Sequence, residues 1–269
     1  MRDLKTRLVS GLLLAGAAIG LTWYSPWTFA ALVLAVSIIV AWEWGRIVRD
    51  GGIDMVFAVQ AGVLIGAVVL GVLGQPVFGL IALLVGTIVT GLLCFGERGQ
   101  MSAVGVLYAG LPAVALVWFR GARPLGFEAA LFVLLAVWAT DTGAYAAGRL
   151  IGGPKLAPSI SPNKTWSGLL GGVSASAVIA LGLALATGLA SPLRLMAVAM
   201  GLAVISQAGD LMESALKRQH AVKDASNIIP GHGGFMDRVD GLIFAAVAAA
   251  LLAAAINVAS PAAALLGAL

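Results

Sequence analysis

The sequence predicts an all-α integral membrane protein: a polytopic helical bundle of about nine transmembrane helices with its N-terminus in the cytoplasm. Three observations lead there. The 269 residues are 61% hydrophobic and only 10% charged, with a mean hydropathy of +1.03. A soluble domain carries about 25% charged residues, and this excess of apolar side chains does not fit inside one water-soluble core. The apolar residues also gather into runs close to the ~20 residues that cross the hydrocarbon core. The lysines and arginines, finally, fall mostly on one side of those runs.

Taken in order, the runs lie near residues 8–24, 27–42, 53–73, 76–95, 101–119, 127–147, 166–188, 193–213 and 239–258. Nearly everything else is short loop, which excludes both a barrel and a soluble fold. The opening MRDLKTRLVSGLLLAGAAIGL resembles a signal peptide, with a basic start and an apolar stretch. No secreted domain follows it, so it reads as a retained first span.

Orientation follows from the cations. With the N-terminus inside, Arg2, Lys5, Arg7, Arg46, Arg49, Arg98, Arg149, Lys155, Lys164, Lys217, Arg218, Lys223 and Arg238 are cytoplasmic. Only Arg120, Arg123 and Arg194 lie outside. Eight or ten spans would break this bias; nine keep it and leave the C-terminus facing outward. The net charge of +4 is this ordinary bias, which favours anionic lipid headgroups and calls for no nucleic-acid partner. Cys94, alone in an apolar run, reads as core filler that forms no internal disulfide or thiolate cluster. Two histidines without partner cysteines leave no zinc signature.

With no repeat and no linker, residues 1–269 read as a single membrane domain. Residues 1–126 are its N-terminal helices, and 127–258 hold the helices and cytoplasmic loops of a site. The longest polar connections, 148–165 and 214–238, are both cytoplasmic in this topology. The second is unusual: residues 214–240 hold four cations, three carboxylates and both histidines.

An acid at the centre of a span costs about 2.5–3.5 kcal/mol on insertion scales, so such groups mark a site or a pair. Asp141, Asp210 with Glu213, and Asp237 with Asp240 lie in or beside spans. Asp210, Glu213, Ser214 and Lys217 recur at helical spacing on one face; Asp237 and Asp240 are three apart where the last span begins. Two such acidic faces joined by a loop can meet. Carboxylates suit Mg²⁺, commonly held by one or two of them plus substrate phosphates. The neighbouring Lys217, Arg218, Lys223 and Arg238 suit phosphate oxygens, and the Gly-His-Gly-Gly turn offers backbone N–H groups before a helix N-terminus. A purely structural account also exists: helix-dipole charges for Asp237 and Asp240, membrane anchors for Lys217 and Arg218, a turn role for His232. It serves Asp141 and Asp210 poorly, because neither role explains an acid embedded in a span.

Residues 214–240 closely resemble the signature of the phosphatidate cytidylyltransferase (CDP-diacylglycerol synthase) family. The match runs Ser214-x-Leu216-Lys217-Arg218, then Lys223-Asp224, then Pro230-x-His232-Gly233-Gly234-x-x-Asp237-Arg238-x-Asp240. The stretch DTGAYAAGRLIGGPKLAPSISPNKTWSG at 141–168 is similar to a second family segment, and before it only WEW at 42–44 looks alike. Asn163 stands where the family has a second lysine, and Ser167 where an acidic residue is common.

The resemblance implies transfer of the cytidylyl group of CTP to phosphatidic acid, giving CDP-diacylglycerol and pyrophosphate. It implies Mg²⁺, with room for a second cation in the same acidic cluster. Asp210, Asp237, Asp240 and Asp141 become the expected metal ligands, and Asp210, Asp237, Lys217 and Arg238 the expected catalytic set. Ser161, Lys164, Ser214, Arg218, Lys223, His232, Gly233 and Gly234 are the expected substrate-binding residues, His232 shaping the turn or meeting a phosphate rather than acting as a base. A homodimer and a location in the inner (cell) membrane, with the site facing the cytoplasm, are implied as well. The competing reading is a transporter or flippase for an anionic phosphorylated solute. Its charge, however, would be expected along a path across the membrane and not gathered at one face. A catalytically inactive relative is disfavoured by the intact set of acids and bases.

Overall fold

The computed structural model describes residues 2–94, 96–188, 191–226, 228 and 233–268, without the side chains of residues 2–10, 12 and 97. It contains ten α-helices and one small β-hairpin among the described residues. Eight of the helices are long and apolar enough to cross a membrane, so this is a polytopic helical membrane protein. The chain divides into two compact units, Met1–Gly121 with His220–Val239, and Ala122–Gln219 with Asp240–Leu269.

The first unit holds α1 (Arg2–Tyr24), α2 (Pro26–Arg49), α3 (Met55–Val72), α4 (Pro76–Leu93) and α5 (Glu97–Gly121). The described apolar part of α1, Leu13–Tyr24, is shorter than a span. Ser25 separates α1 from α2 with a capping box: its Oγ accepts from the Thr28 N–H at 3.1 Å, and the Thr28 Oγ1 accepts from the Ser25 N–H at 3.2 Å. Pro26 follows at the first helical position, where a missing N–H costs nothing. Asp54 caps α3 by accepting from Phe57 N–H at 2.7 Å and pairs with Arg49 at 3.1 Å.

Helix α4 shows how hydrocarbon inverts the usual pattern. It buries Gly79, Leu83, Gly86 and Thr90, while Ile88 and Leu92 are 63% and 67% exposed. Apart from Leu83, small residues face the neighbouring helices, and large ones such as Ile88 and Leu92 face outward. Polar side chains in the unit are tied inward. Trp44 Nε1 donates to the Met101 carbonyl at 2.7 Å, and Gln60 Nε2 donates to that of Ser102 at 2.9 Å.

The second unit holds α6 (Gly126–Leu150), β1 (Lys155–Ala157), β2 (Ser161–Thr165), α7 (Trp166–Thr187), α8 (Pro192–Gln219), most of α9 (Met236–Asn257) and α10 (Pro261–Leu266). Helices α6 and α7 nearly touch backbones. A β-carbon on Gly172 would stand 2.8 Å from the Thr140 carbonyl oxygen, and one on Gly168 would stand 3.0 Å from that of Ala144.

Helix ends differ from the apolar runs. Helix α2 continues to Arg49, α8 to Gln219, and α9 begins at Met236. Hydropathy marks where the chain is greasy, whereas hydrogen bonding carries a helix on into the polar interface. At 1.5 Å per residue the 28 residues of α8 span about 42 Å, well beyond the ~30 Å hydrocarbon core. Ser214, Lys217 and Arg218 therefore ride on α8 and not in a loop. The connection at 148–165, expected as loop, contains the antiparallel β1–β2 pair, and α10 follows the last span unforeseen.

Filling the α6–α7 contact tests this packing. Gly172→Val is expected to lower the thermal midpoint in detergent through overpacking worth about 1–3 kcal/mol. Gly182→Val on the same helix, with nothing within 4 Å of its β-carbon position, serves as the control.

Candidate active site

In the second unit, the hairpin brings one side chain to α8. Thr165 ends β2 and caps α7, its Oγ1 accepting from Gly168 N–H at 3.1 Å. Ser167 secures the same corner, donating from Oγ to the Gly152 carbonyl and lying 3.0 Å from the Thr165 Oγ1. The residue where the family often has an acid thus serves the turn. One position before Thr165, Lys164 places its Nζ 2.6 Å from Asp210 Oδ2 and 3.2 Å from Gln207 Oε1.

The face read from spacing on α8 is real. Ser214 Oγ donates to Asp210 Oδ1 at 3.4 Å, and Lys217 Nζ lies 2.9 Å from Glu213 Oε1. The Glu213 side chain is 0% exposed, so its charge is met by Lys217 within the bundle.

Helix α9 then approaches α8 through two glycines. A β-carbon on Gly209 would stand 3.0 Å from the Asp240 carbonyl oxygen and 2.5 Å from the Phe244 ring, and one on Gly241 would strike Ser206 Oγ. Each glycine is the sequence neighbour of an aspartate, so this close approach falls beside Asp210 and Asp240. Asp240 accepts from the Gly241 N–H at 2.7 Å and lies in electrostatic reach of Asp210, Glu213 and Asp141. Asp141 is on the exposed part of α6.

In the first unit, the segment after α8 folds onto itself and onto α2. Asp237 Oδ2 accepts from the N–H groups of Ala225 at 3.1 Å and Gly234 at 3.0 Å. Glu43, on α2, accepts at Oε1 from the Ser226 hydroxyl and from Phe235 N–H at 2.9 Å, and at Oε2 from Met236 N–H at 2.6 Å. Gly233 takes the left-handed conformation at φ +82, which favours glycine.

These contacts revise the expectation of backbone groups waiting for an anion. The Gly234 N–H is committed to Asp237, and the anion at the N-terminus of α9 is Glu43. Lys223 and Arg238 are exposed in the first unit; Arg218 is exposed and Ser161 half-buried in the second. His232 lies outside the described residues. Glu43, Gln207 and Glu213 are the members that were not assigned a role from sequence. Glu43 was visible only as the acid in WEW.

Among the described residues, no three His, Cys, Asp or Glu side chains are placed to hold a metal by themselves. The acids around Asp240 nonetheless supply only hard oxygen donors and stand as like-charged neighbours of one another. That suits Mg²⁺, which keeps waters and takes substrate phosphates to complete its shell, and it suits no soft metal.

The fold and the second unit's cluster of Lys164, Asp210 and Asp240 define a polytopic membrane protein with a carboxylate-and-lysine site. The chain belongs to the cytidylyltransferase family, whose model matches residues 5–256. Similar proteins include the phosphatidate cytidylyltransferase of Brucella suis biovar 1, 38% identical over 251 residues, covering 91% of this chain and 92% of the relative. That of Bacillus subtilis is 32% identical over 263 residues, 91% of this chain and 95% of its own. That of Staphylococcus epidermidis is 42% identical over 142 residues, 52% of this chain and 54% of its own.

The Lys164–Asp210 pair can be weighed by a double-mutant cycle with Lys164→Met and Asp210→Asn. A coupling of about 1 kcal/mol or more in unfolding free energy is expected, since both side chains are largely shielded, at 15% and 31% exposure. Additive single changes would show the pair to be energetically idle.

Proposed function

We propose that this chain is a CTP-dependent phosphatidate cytidylyltransferase, joining CTP and phosphatidic acid to give CDP-diacylglycerol and pyrophosphate. It works as a homodimer in the inner (cell) membrane, its N-terminus and its site facing the cytoplasm, where CTP is dissolved and the lipid headgroup is at hand. The observation that carries the reading is the meeting of Asp210 and Asp240 at the α8–α9 glycine contact, with Lys164 on Asp210. Membership of the cytidylyltransferase family and the names of its relatives support it.

In the reaction, a phosphate oxygen of phosphatidic acid attacks the α-phosphorus of CTP. The bond from that phosphorus to the bridging oxygen of the β-phosphate breaks, and pyrophosphate leaves. The nucleophile is already an anion, so the protein has little proton transfer to perform. Its work is to bring two mutually repelling anions together and to meet the charge on the leaving group. Lys217, Arg218, Lys223 and Arg238 serve the phosphates; Ser161, Ser214, Gly233 and, by the sequence signature, His232 are the remaining substrate contacts. Lys164 orients Asp210.

We assign Mg²⁺ to Asp210 and Asp240, with Asp141 nearby and Asp237 one turn earlier on α9. When bound, the ion would neutralise phosphate charge and polarise the phosphorus that is attacked.

The test is formation of CDP-lipid from radiolabelled CTP and phosphatidate by the purified protein in detergent micelles with Mg²⁺. Wild type is expected to turn over without a sealed compartment, and folded Asp210→Asn and Asp237→Asn to lose at least about 100-fold in rate. A folded, lipid-supplied wild type that makes no CDP-lipid overturns the reading.

A further inference from the structure

We propose that Glu43 is a positioning residue for this site: from α2 it fixes the start of α9, and with it the place of Asp237. The inference rests on the function proposed above and adds to it a residue far from the signature segments.

Glu43 is 0% exposed, and among the described residues its hydrogen bonds come from one hydroxyl and two backbone N–H groups, none from a lysine or arginine. Its charge is met instead by the first N–H groups of a helix, the end that favours an anion. A local serine or aspartate could cap α9 for about 1 kcal/mol without burying a distant carboxylate. What a cap from α2 adds is location, because it holds the first turn of α9 at one place against another helix.

The two carboxylates grip the same segment in interleaved fashion. Asp237 takes the N–H groups of Ala225 and Gly234, while Glu43 takes Ser226, Phe235 and Met236. Asp237 holds one group from each flank of the loop, and Glu43 one from the first flank and two from the second, so neither flank can shift on one acid without straining the other. Gly234 fits this arrangement for want of a side chain. A β-carbon there would lie 2.6 Å from Glu43 Oε1 and 3.0 Å from the Ser226 nitrogen. Asp237 follows Met236 directly, so displacement of the Met236 N–H moves Asp237 with it.

Substitution separates this role from general stability. Glu43→Gln keeps the volume, but either orientation of its amide sets an NH₂ against a backbone N–H. Glu43→Asp draws the carboxylate back by one methylene. Ser226→Ala removes one bond and leaves the carboxylate in place. The measurements on each purified full-length variant are kcat, KM for CTP, the Mg²⁺ concentration for half activation, the thermal midpoint, and Mn²⁺ binding by electron paramagnetic resonance without substrates.

Folded Glu43→Gln is expected to raise the Mg²⁺ half-activation point and the Mn²⁺ Kd, with activity falling about 10- to 100-fold, as when a supporting partner of a metal ligand is lost. Glu43→Asp should behave likewise, and Ser226→Ala should shift the same quantities by less. Activity that falls only with the folded fraction, while metal half-activation and Mn²⁺ Kd stay at wild-type values, overturns the proposal. If the Glu43 variants do not fold, unchanged metal binding in Ser226→Ala overturns it equally. A wild type that binds Mn²⁺ but never turns over CTP refutes the proposed activity instead, and the Mn²⁺ measurement then decides this inference alone.

Discussion

A carboxylate withdrawn from water must be met by a donor, and in a bundle this apolar Glu43, Asp210, Glu213, Asp237 and Asp240 each have one. Uncompensated, each would cost several kcal/mol. The acids answer in two ways. Asp210 and Glu213 take lysine partners, Lys164 and Lys217. Glu43, Asp237 and Asp240 accept from backbone N–H groups. Lysine pairing cancels charge, whereas backbone bonding only solvates it. Asp240 has like charges, Asp210, Glu213 and Asp141, as its electrostatic neighbours, and a cation brought there would offset their repulsion.

Close backbone packing turns this chemistry into geometry. Two helices can present carboxylates to one another only if nothing bulky intervenes, and Gly209 and Gly241 provide that clearance at the residues adjoining Asp210 and Asp240. The same device joins α6 to α7 at Gly168 and Gly172. Large side chains, displaced from these seams, face lipid, as Ile88 and Leu92 do. The greasy surface and the glycine-lined interior are two sides of one arrangement.

Much of this was legible in the sequence. Apolar run length gave the helical membrane fold, and helical spacing placed Asp210, Glu213, Ser214 and Lys217 on one face, because both signals are local. The meeting of Asp210 with Asp240 was foreseen as a possibility of two acidic faces, but its cause, the glycine beside each, was hidden among 35 glycines. Lys164 was expected to contribute from its loop, yet its pairing with Asp210 depends on a hairpin that no apolar alternation announces. Glu43 was missed for a physical reason. A single acid flanked by tryptophans near the end of an apolar run looks like an interfacial residue, and its partners lie far along the chain.

That separation bears on how the protein is made. The groups that meet Glu43 stand 183, 192 and 193 residues downstream. While the first five helices emerge from the ribosome, these three partners of the carboxylate have not been synthesised. Helix α2 is made long before the Ser226 hydroxyl and the N–H groups at the start of α9 that meet its carboxylate. The first unit is therefore assembled from two separate stretches of the chain, and its final assembly waits for the second to be made.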